Sequence, residues 1–299
     1  MLEIKNVTKK FGDLVAVDGL SFNVKPGEIY GLLGANGAGK TTTFRMIVNL
    51  LEPNEGDISY YNNKINPKIT DEIGFMIEER SMQTKMTVEE QVIHFARIKG
   101  MTYRDAAKKL DYWLERFNIK EYRTKKIKEL SKGNQQKIQF IATIINEPKL
   151  LILDEPFSGL DPFNMERFVD IMNEFKEKGS IIIFSSHRID HVEQFCEDLT
   201  VLVKGKVVLS GNIDRIKEDF MRKVIKINGD VTKAELLDIE GVVKVNEYKH
   251  ELEVHIESQD YVQKVFNYIK EKNNITKFMV EKPSLSEIFI ERVGEAYDG

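Results

Sequence analysis

The sequence predicts an α/β protein with a second, smaller α+β unit at its carboxyl end. Apolar runs of buried-strand length alternate with helical stretches between residues 29 and 186, which is the pattern of a parallel sheet. Residues 1–24 alternate apolar and polar side chains, which is typical of antiparallel strands. Beyond about residue 220 the order becomes βαββαβ, which indicates a small split-βαβ domain.

Length and composition fit a folded globular protein. The chain has 299 residues, enough for two domains at about 150 residues each. It has 44 Lys and Arg residues and 48 Asp and Glu residues, which gives a net charge of −4. Because there is no surplus of basic residues to bind phosphates, nucleic acid is not expected as a partner. Cys196 is the single cysteine, which excludes an intrachain disulfide and favours a reducing, cytoplasmic compartment.

Neither a membrane span nor a signal peptide is expected. The longest apolar run, even with glycine counted, covers only residues 29–35, whereas a spanning helix needs about 20 residues. The amino-terminal residues have no apolar core followed by a small-residue cleavage site. Any membrane role is therefore expected to come through a partner.

The first part of the chain reads as strands around one glycine-rich loop. Stretches 2–7, 14–17 and 20–24 are expected to form antiparallel strands, with a turn at Gly12 and Asp13. After Pro26 and Gly27 we expect a buried strand, then the glycine-rich loop and then a helix. Residues 41–51 are expected to form this helix, because their apolar side chains have helical spacing. Two further strand candidates are residues 57–61 and 73–77.

The middle of the chain predicts an inserted helical subdomain, at about residues 78–130. Thr87 and Glu90 form a capping-box pattern, Gly100 ends the first helix, and Thr102 begins a second. Buried strands end near residues 153 and 186, with a helix over 164–178 between them. We expect a first domain over 1–218 and an accessory α+β domain over 219–299, whose strands are 224–228, 242–247, 252–256 and 276–280 and whose helices are 233–237 and 261–270.

Residues 34–41 match the phosphate-loop pattern G-x-x-x-x-G-K-[ST], between a predicted strand and a predicted helix. Glycines let successive N–H groups turn inward on an anion, Lys40 adds a positive charge, and Thr41 offers a hydroxyl to Mg²⁺. No G-x-G-x-x-G frame fits, so a dinucleotide loop is disfavoured. The expected nucleotide-binding residues here are Gly34, Ala35, Asn36, Gly37, Ala38, Gly39, Lys40, Thr41 and Thr42.

Asp154 and Glu155 end an apolar strand. A lone acidic pair at such a place is most often a helix cap or a solvated edge, but a phosphate loop elsewhere in the chain favours chemistry. Asp154 is then expected in the shell of a magnesium ion, and Glu155 is expected to orient and deprotonate the attacking water.

Between these motifs, residues 130–136 (LSKGNQQ) resemble the LSGGQ signature of ATP-binding cassette (ABC) ATPases. The signature is a second Ser/Gly helix start, hence a second anion site. The resemblance implies the phosphate-loop cassette fold, with a mixed sheet, an antiparallel β subdomain and an inserted helical subdomain. It also implies a head-to-tail pair of cassettes, in which Ser131 and Gly133 close on the partner's ATP.

Other residues match further landmarks of that family. Residues 158–161 resemble the D-loop, which implies a cross-dimer role for Asp161. His187, directly after a strand, resembles the switch histidine at the γ-phosphate, and Lys40 and Glu155 join it as catalytic residues. Phe11 matches the aromatic residue on which adenine stacks. The alternatives are a metal pair for His187 with His191, and a core aromatic for Phe11.

Three positions depart from the family pattern. Glu78, followed by Glu79, stands where the family has the glutamine of the Q-loop, and is expected near Mg²⁺ as a charged ligand. Lys132 replaces a signature glycine and Asn134 the signature glutamine. Lys132 keeps its N–H and adds charge, provided that its backbone does not need a positive φ. We expect a working site with altered kinetics.

The carboxyl-terminal residues 281–295 resemble the tail of stand-alone cassettes of bacterial sodium-efflux and drug-efflux exporters. Leu285, Ile288, Phe289 and Val293 form one stripe, so the alternative is an amphipathic helix packing on its own sheet. The basic cluster of Arg123, Lys125, Lys126 and Lys128 faces either lipid headgroups or, more simply, solvent.

The predicted function is that of the ATP-hydrolysing subunit of an ABC transporter. The expected cofactors are ATP and Mg²⁺. The expected partners are polytopic permease subunits and a second cassette, identical or similar, on the inner face of the cell membrane, and the expected direction is export. The alternatives are a soluble ABC ATPase without a transport role and a regulatory ATP-binding protein.

Overall fold

The structure, a computed structural model, describes residues 1–65, 69–77, 82–220, 223–249 and 251–298. It divides into two compact units, Met1–Ser210 and Gly211–Gly299. The boundary expected from the sequence, between 218 and 219, falls eight residues further along, directly before the end of helix α7 (Ile213–Asp219). Among the described residues, none of the helices combines the length and apolar character that crossing a bilayer requires.

A three-stranded antiparallel sheet begins the first unit. Its order is β2-β1-β4, and its strands are β1 (Leu2–Phe11), β2 (Leu14–Val24) and β4 (Glu55–Tyr60). The expectation of separate stretches at 14–17 and 20–24 was wrong, because β2 runs through Asp18 and Gly19 with a shift of register. Gly19 has a φ of +61° and donates its N–H to Thr8 Oγ1, so the polar interruption is a bulge within one strand.

A six-stranded sheet of order β5-β6-β7-β3-β8-β9 forms the centre of the same unit. Strand β3 pairs in parallel with β7 and β8, and β6 pairs in parallel with β5 and β7. The ranges are β3 (Ile29–Leu33), β5 (Ile73–Met76), β6 (Leu150–Leu153), β7 (Ile181–Ser186), β8 (Asp198–Val203) and β9 (Lys206–Asn212). Because β6, β7 and β3 are adjacent and parallel, the loops after them meet at one edge of the sheet.

One hydrophobic core joins the two sheets through helix α1 (Lys40–Ile47). Phe44 and Ile47 of that helix are fully buried among side chains of both sheets, including Leu20 and Leu32. The core therefore holds α1 against both sheets, at the end of the loop that follows β3.

Four helices of the first unit start at a polar side-chain cap, and the sequence predicted three of these starts, at Thr87, Thr102 and Ser131. Thr87 and Glu90 form the capping box of α2, and Thr102, Ser131 and Asp161 cap the next three helices. The ranges are α2 (Val88–Ile98), α3 (Tyr103–Arg116), α4 (Lys132–Ile144), α5 (Pro162–Glu177) and α6 (Ile189–Phe195).

The second unit contains a four-stranded antiparallel sheet of order β11-β12-β10-β13. Its elements are β10 (Lys223–Asn228), α8 (Lys233–Leu237), β11 (Val242–Tyr248), β12 (Glu251–Ile256), α9 (Val262–Ile269) and β13 (Lys277–Glu281), followed by α10 (Leu285–Asp298). This is the predicted βαββαβ order. Alternation along β12 buries Leu252, Val254 and Ile256 in the core of the unit.

Of the expected apolar stripe of helix α10, Leu285 and Ile288 are buried and Phe289 is half-buried, whereas the side chain of Val293 lies outside those described. On the face of β12 opposite the core, His255 lies 3.1 Å from Glu253 and 3.5 Å from Glu287 of α10. Glu287 is also the capping-box partner of Ser284, which explains its position without a ligand.

Candidate functional site

The phosphate loop leads from β3 into α1 and requires glycine at two close approaches. A Cβ on Gly34 would lie 2.5 Å from the Leu202 carbonyl oxygen, and one on Gly39 would lie 2.5 Å from that of Ala16. Gly39 also has a φ of +108°, which L side chains rarely adopt. Because Gly39 caps α1 without a side chain, the first N–H groups of the helix remain for an anion.

Lys40 is buried within the loop that it follows. Its Nζ donates to the carbonyl oxygen of Gly34 at 2.7 Å and to that of Ala35 at 3.3 Å. The same nitrogen lies 3.4 Å from Glu155 Oε1. Lys40 therefore places its charge between the loop and the carboxylate after β6.

Thr41, Asp154 and Ser185 form a chain of hydrogen bonds across the ends of three strands. Thr41 Oγ1 donates to Asp154 Oδ2 at 2.6 Å, and Ser185 Oγ donates to Asp154 Oδ1 at 2.6 Å. Asp154 and Ser185 are fully buried. Thr41 and Asp154 thus bring two hard oxygen ligands together, which is a donor set that fits Mg²⁺.

Glu155 lies beside this chain in a left-handed backbone conformation, with a φ of +48°. Its N–H donates to Ser185 Oγ at 2.9 Å, and its Oε2 lies 3.0 Å from His187 Nδ1. Within the described residues, its buried Oε1 has the Lys40 ammonium nearby but no hydrogen bond. A carboxylate oxygen held without a donor is free to accept a proton from water.

Phe11 is 48% exposed and lines a cleft of about 410 Å³ beside the phosphate loop. The ammonium of Lys9 lies 5.3 Å from the centre of its ring. Phe11 is therefore on the surface next to the loop, and the alternative of a core aromatic was wrong. All the predicted loop residues from Ala35 to Thr42 line the same cleft.

The signature residues do not line that cleft. Ser131 caps α4, its Oγ accepting the N–H of Asn134 at 3.3 Å, and Gly133 faces the D-loop, where a Cβ would lie 3.1 Å from the Gly159 carbonyl oxygen. Lys132 begins α4 and is exposed, and it is not among the described residues with positive φ. Its substitution for glycine therefore leaves the helix start unstrained.

Asp161 is the cap of α5 and accepts the N–H of Asn164 at 2.9 Å. This hydrogen bond and one from the Asn164 side chain lower the pKa of Asp161. Glu78 and Glu79 lie outside the described residues.

His191 is not placed as a metal ligand beside His187. Its ring is buried 5.2 Å from the centre of Phe157, and burial lowers its pKa. Among the described residues, the candidate groups of metal ligands do not include these histidines.

Comparisons with known proteins agree with the motifs. A family model for ABC transporters matches residues 17–158, and one for the carboxyl-terminal domain of DrrA1-3-like ATP-binding proteins matches residues 211–293. Over 298 residues, and all of both proteins, the chain is 49% identical to the uncharacterized ABC transporter ATP-binding protein YhaQ of Bacillus subtilis (strain 168). The chain belongs to the ABC transporter ATP-binding proteins.

Two further known proteins are similar to most of this ABC protein. The bacitracin transport ATP-binding protein BcrA of Bacillus licheniformis is 30% identical over 310 residues, covering 98% of this chain and 97% of its own. A dimeric ATP-binding cassette solved in a post-hydrolysis state with ADP and Pi superimposes with a TM-score of 0.66 at 26% identity, covering 71% of this chain and 99% of its own. The predicted cassette fold is confirmed, and the chain is the ATP-binding, ATP-hydrolysing subunit of an ABC transporter.

Two residues at the site of this ABC ATPase were missed from the sequence. Ser185 joins Asp154 to Glu155, and Gln136 of α4 donates its amide to the carbonyl oxygens of Glu155 and Pro156. The sequence signals were the pair of serines that ends the strand at residue 186 and the place of Gln136 at the end of the signature segment 130–136. An amide that reaches across from another element leaves no local pattern.

Proposed function

We propose that this chain binds Mg–ATP at the phosphate loop, hydrolyses it with Glu155 as general base within a head-to-tail pair of cassettes, and drives export through a separate membrane permease. The observation that carries the proposal is the convergence of Lys40, Thr41, Asp154, Glu155 and His187 at the ends of three adjacent strands.

Binding rests on charge and stacking. The N–H groups at the start of α1 and the ammonium of Lys40 attract the phosphates, which carry the negative charge of ATP. The exposed ring of Phe11 offers adenine a stacking surface in the same cleft. The remaining loop residues contribute backbone rather than side-chain contacts.

Magnesium belongs with Thr41 and Asp154, whose oxygens lie 2.6 Å apart. Glu78 stands where the family has the glutamine of the Q-loop, and it is proposed as a third ligand of the ion. When bound, the ion neutralises charge on the β- and γ-phosphates and so favours attack at the γ-phosphorus.

Hydrolysis needs a base for the attacking water, and Glu155 is assigned that role. The water oxygen forms a bond to the γ-phosphorus, the bond from that phosphorus to the β–γ bridging oxygen breaks, and a water proton passes to the Glu155 carboxylate. The products are ADP and phosphate. His187, whose Nδ1 lies 3.0 Å from Glu155 Oε2, is proposed to orient the carboxylate and to contact the γ-phosphate.

A second cassette completes each site. Ser131, Gly133 and Asp161 lie away from the cleft of their own chain, which agrees with a role at the partner's nucleotide, and the partner is an identical or similar cassette. The dimeric state of the solved relative supports this arrangement.

Transport itself is assigned to a separate polytopic permease, because the chain belongs to the ATP-binding proteins of ABC transporters. We place residues 1–218 as the nucleotide-binding domain and 219–299 as its accessory domain, peripheral on the inner membrane face. The helical subdomain, about residues 78–130, passes the motion to the permease. The proposed direction is export, because residues 281–295 resemble the tail of sodium-efflux and drug-efflux cassettes.

The test has two arms. The full chain is assayed for Mg-dependent ATP hydrolysis beside Lys40→Met, which removes the phosphate-loop charge and is expected to abolish both ATP binding and turnover. In the second arm the tagged chain is purified from native membranes in mild detergent. An ATPase-inactive chain overturns the enzymatic part, and the absence of a polytopic membrane protein from the purified complex overturns the transport part.

A further inference from the structure

We propose that Gln136 is a positioning residue that sets the general base Glu155 from the signature helix of the same chain. The inference rests on the proposed function, because it assumes that Glu155 is the base. It concerns the last side chain of the signature segment 130–136, which lies on helix α4 rather than in the cleft.

The backbone of Glu155 needs external support. A non-glycine residue with a φ of +48° is uncommon and persists only where its surroundings fix it. Ser185 Oγ accepts the Glu155 N–H, and the Glu155 carbonyl oxygen accepts the N–H of Ser158 at 3.1 Å. These contacts hold the residue from β7 and from its own turn.

Gln136 supplies the third support. Its Nε2 donates to the Glu155 carbonyl oxygen at 3.3 Å and to that of Pro156 at 2.9 Å. One amide thus holds the carbonyl groups of two successive residues shortly after the end of strand β6. The direction of the Glu155 side chain follows from the backbone that this amide holds.

Gln136 belongs to a stripe along α4 with a spacing of three residues, Gly133, Gln136 and Gln139, which lie on one helix face. Gly133 packs closely on the backbone of Gly159, and Gln139 Nε2 donates to the Ile77 carbonyl oxygen at 2.6 Å. The stripe therefore touches the loops that follow both β5 and β6.

The same helix begins at Ser131, which is assigned to the partner's nucleotide. A shift of α4 when Ser131 engages that nucleotide moves Gln136 along with it, since Ser131 caps the 13-residue helix to which Gln136 belongs. Each signature then acts on the base of its own chain as well as on the ATP of its partner. Closure of the pair of cassettes would in this way position Glu155 at both nucleotide sites.

The test compares Gln136→Met with Gln91→Met in the full chain. Methionine keeps the length of the side chain and removes its amide. Gln91 of helix α2 is a matched control, because it is a buried glutamine whose amide oxygen accepts the N–H of Gln83 and does not contact the loop of Glu155. Steady-state hydrolysis, ATP affinity and Tm are measured for each.

We expect Gln136→Met to lower kcat about 10- to 100-fold while KM for ATP changes less than about threefold, as for a misplaced base. Gln91→Met should keep a kcat within about twofold of the parent chain. Combined with Glu155→Gln, the methionine at 136 should cause no further loss, because the base that it positions is already gone.

Gln136→Asn keeps the amide but withdraws it by one methylene, and it carries the comparison should Gln136→Met fail to fold. A parent-like kcat in a folded Gln136 variant, or a loss that multiplies with that of Glu155→Gln, overturns the inference. A parent-like kcat in Glu155→Gln itself instead overturns the assignment of the base, which is part of the proposed function.

Discussion

The hydroxyl of Ser185 donates a 2.6 Å hydrogen bond to the carboxylate of Asp154, and the same oxygen accepts the N–H of Glu155. One side chain of β7 therefore fixes both acidic residues after β6. Asp154 and Glu155 are both buried, so water would not replace the Ser185 hydroxyl if that hydroxyl were removed.

Ser185→Ala is expected to lower kcat for ATP by about tenfold and stability by about 1–3 kcal/mol, because it leaves two buried polar groups unpaired. Ser180→Ala is the matched control, since this buried serine donates to the Pro148 carbonyl oxygen at the opposite end of β7. Its variant should lose stability but keep kcat. Steady-state hydrolysis and urea unfolding check the pair, and an equal kcat for both variants would count against the role of Ser185.

Lys132→Ala tests the charge that replaces a signature glycine. Lys132 is exposed at the first position of α4, where its ammonium adds attraction for an anion at the helix start. We expect the variant to raise the concentration of ATP needed for dimerisation about two- to fivefold, and to weaken the salt dependence of that step. Lys108→Ala, at an exposed lysine of α3, is the control; an identical response of the two variants would refute a specific role.

Arg123 is paired within the helical subdomain rather than facing outward alone. Its guanidinium donates to Glu89 at 2.9 and 3.2 Å and also pairs with Asp111. Hydrogen bonds from Arg123 and Tyr103 lower the pKa of Glu89. This geometry accounts for one residue of the basic cluster without lipid.

Because the folded state lowers the pKa of Glu89, the pair stabilises the fold above the pKa of an unfolded glutamate, about 4.3, and loses this contribution as the pH falls through the folded value. Arg123→Met should reduce the free energy of unfolding at pH 7 by about 1 kcal/mol, and by less near pH 3. Urea unfolding at the two pH values measures the difference. Lys125→Met should show no such pH dependence, and a constant deficit for Arg123→Met would contradict the account.

The sequence was informative wherever function lies in contiguous residues. The phosphate loop, Asp154 with Glu155, and His187 each follow a strand whose apolar run is visible, so their meeting at one sheet edge could be predicted. Ser185 and Gln136 could not, because they act through contacts between elements remote in sequence. The continuity of β2 was missed for a related reason, since a bulge at Gly19 imitates a turn in a one-dimensional pattern.

The central claim is that Glu155 deprotonates the water that attacks ATP within a pair of cassettes, and Glu155→Gln tests it most directly. The amide keeps the size of the side chain but does not take up the proton, so Mg–ATP should be bound and not hydrolysed. Light scattering at saturating Mg–ATP, combined with a single-turnover assay, should find a stable dimer that retains intact ATP, with turnover lowered at least about 100-fold. A monomer under these conditions, or hydrolysis at the rate of the parent chain, would contradict the account.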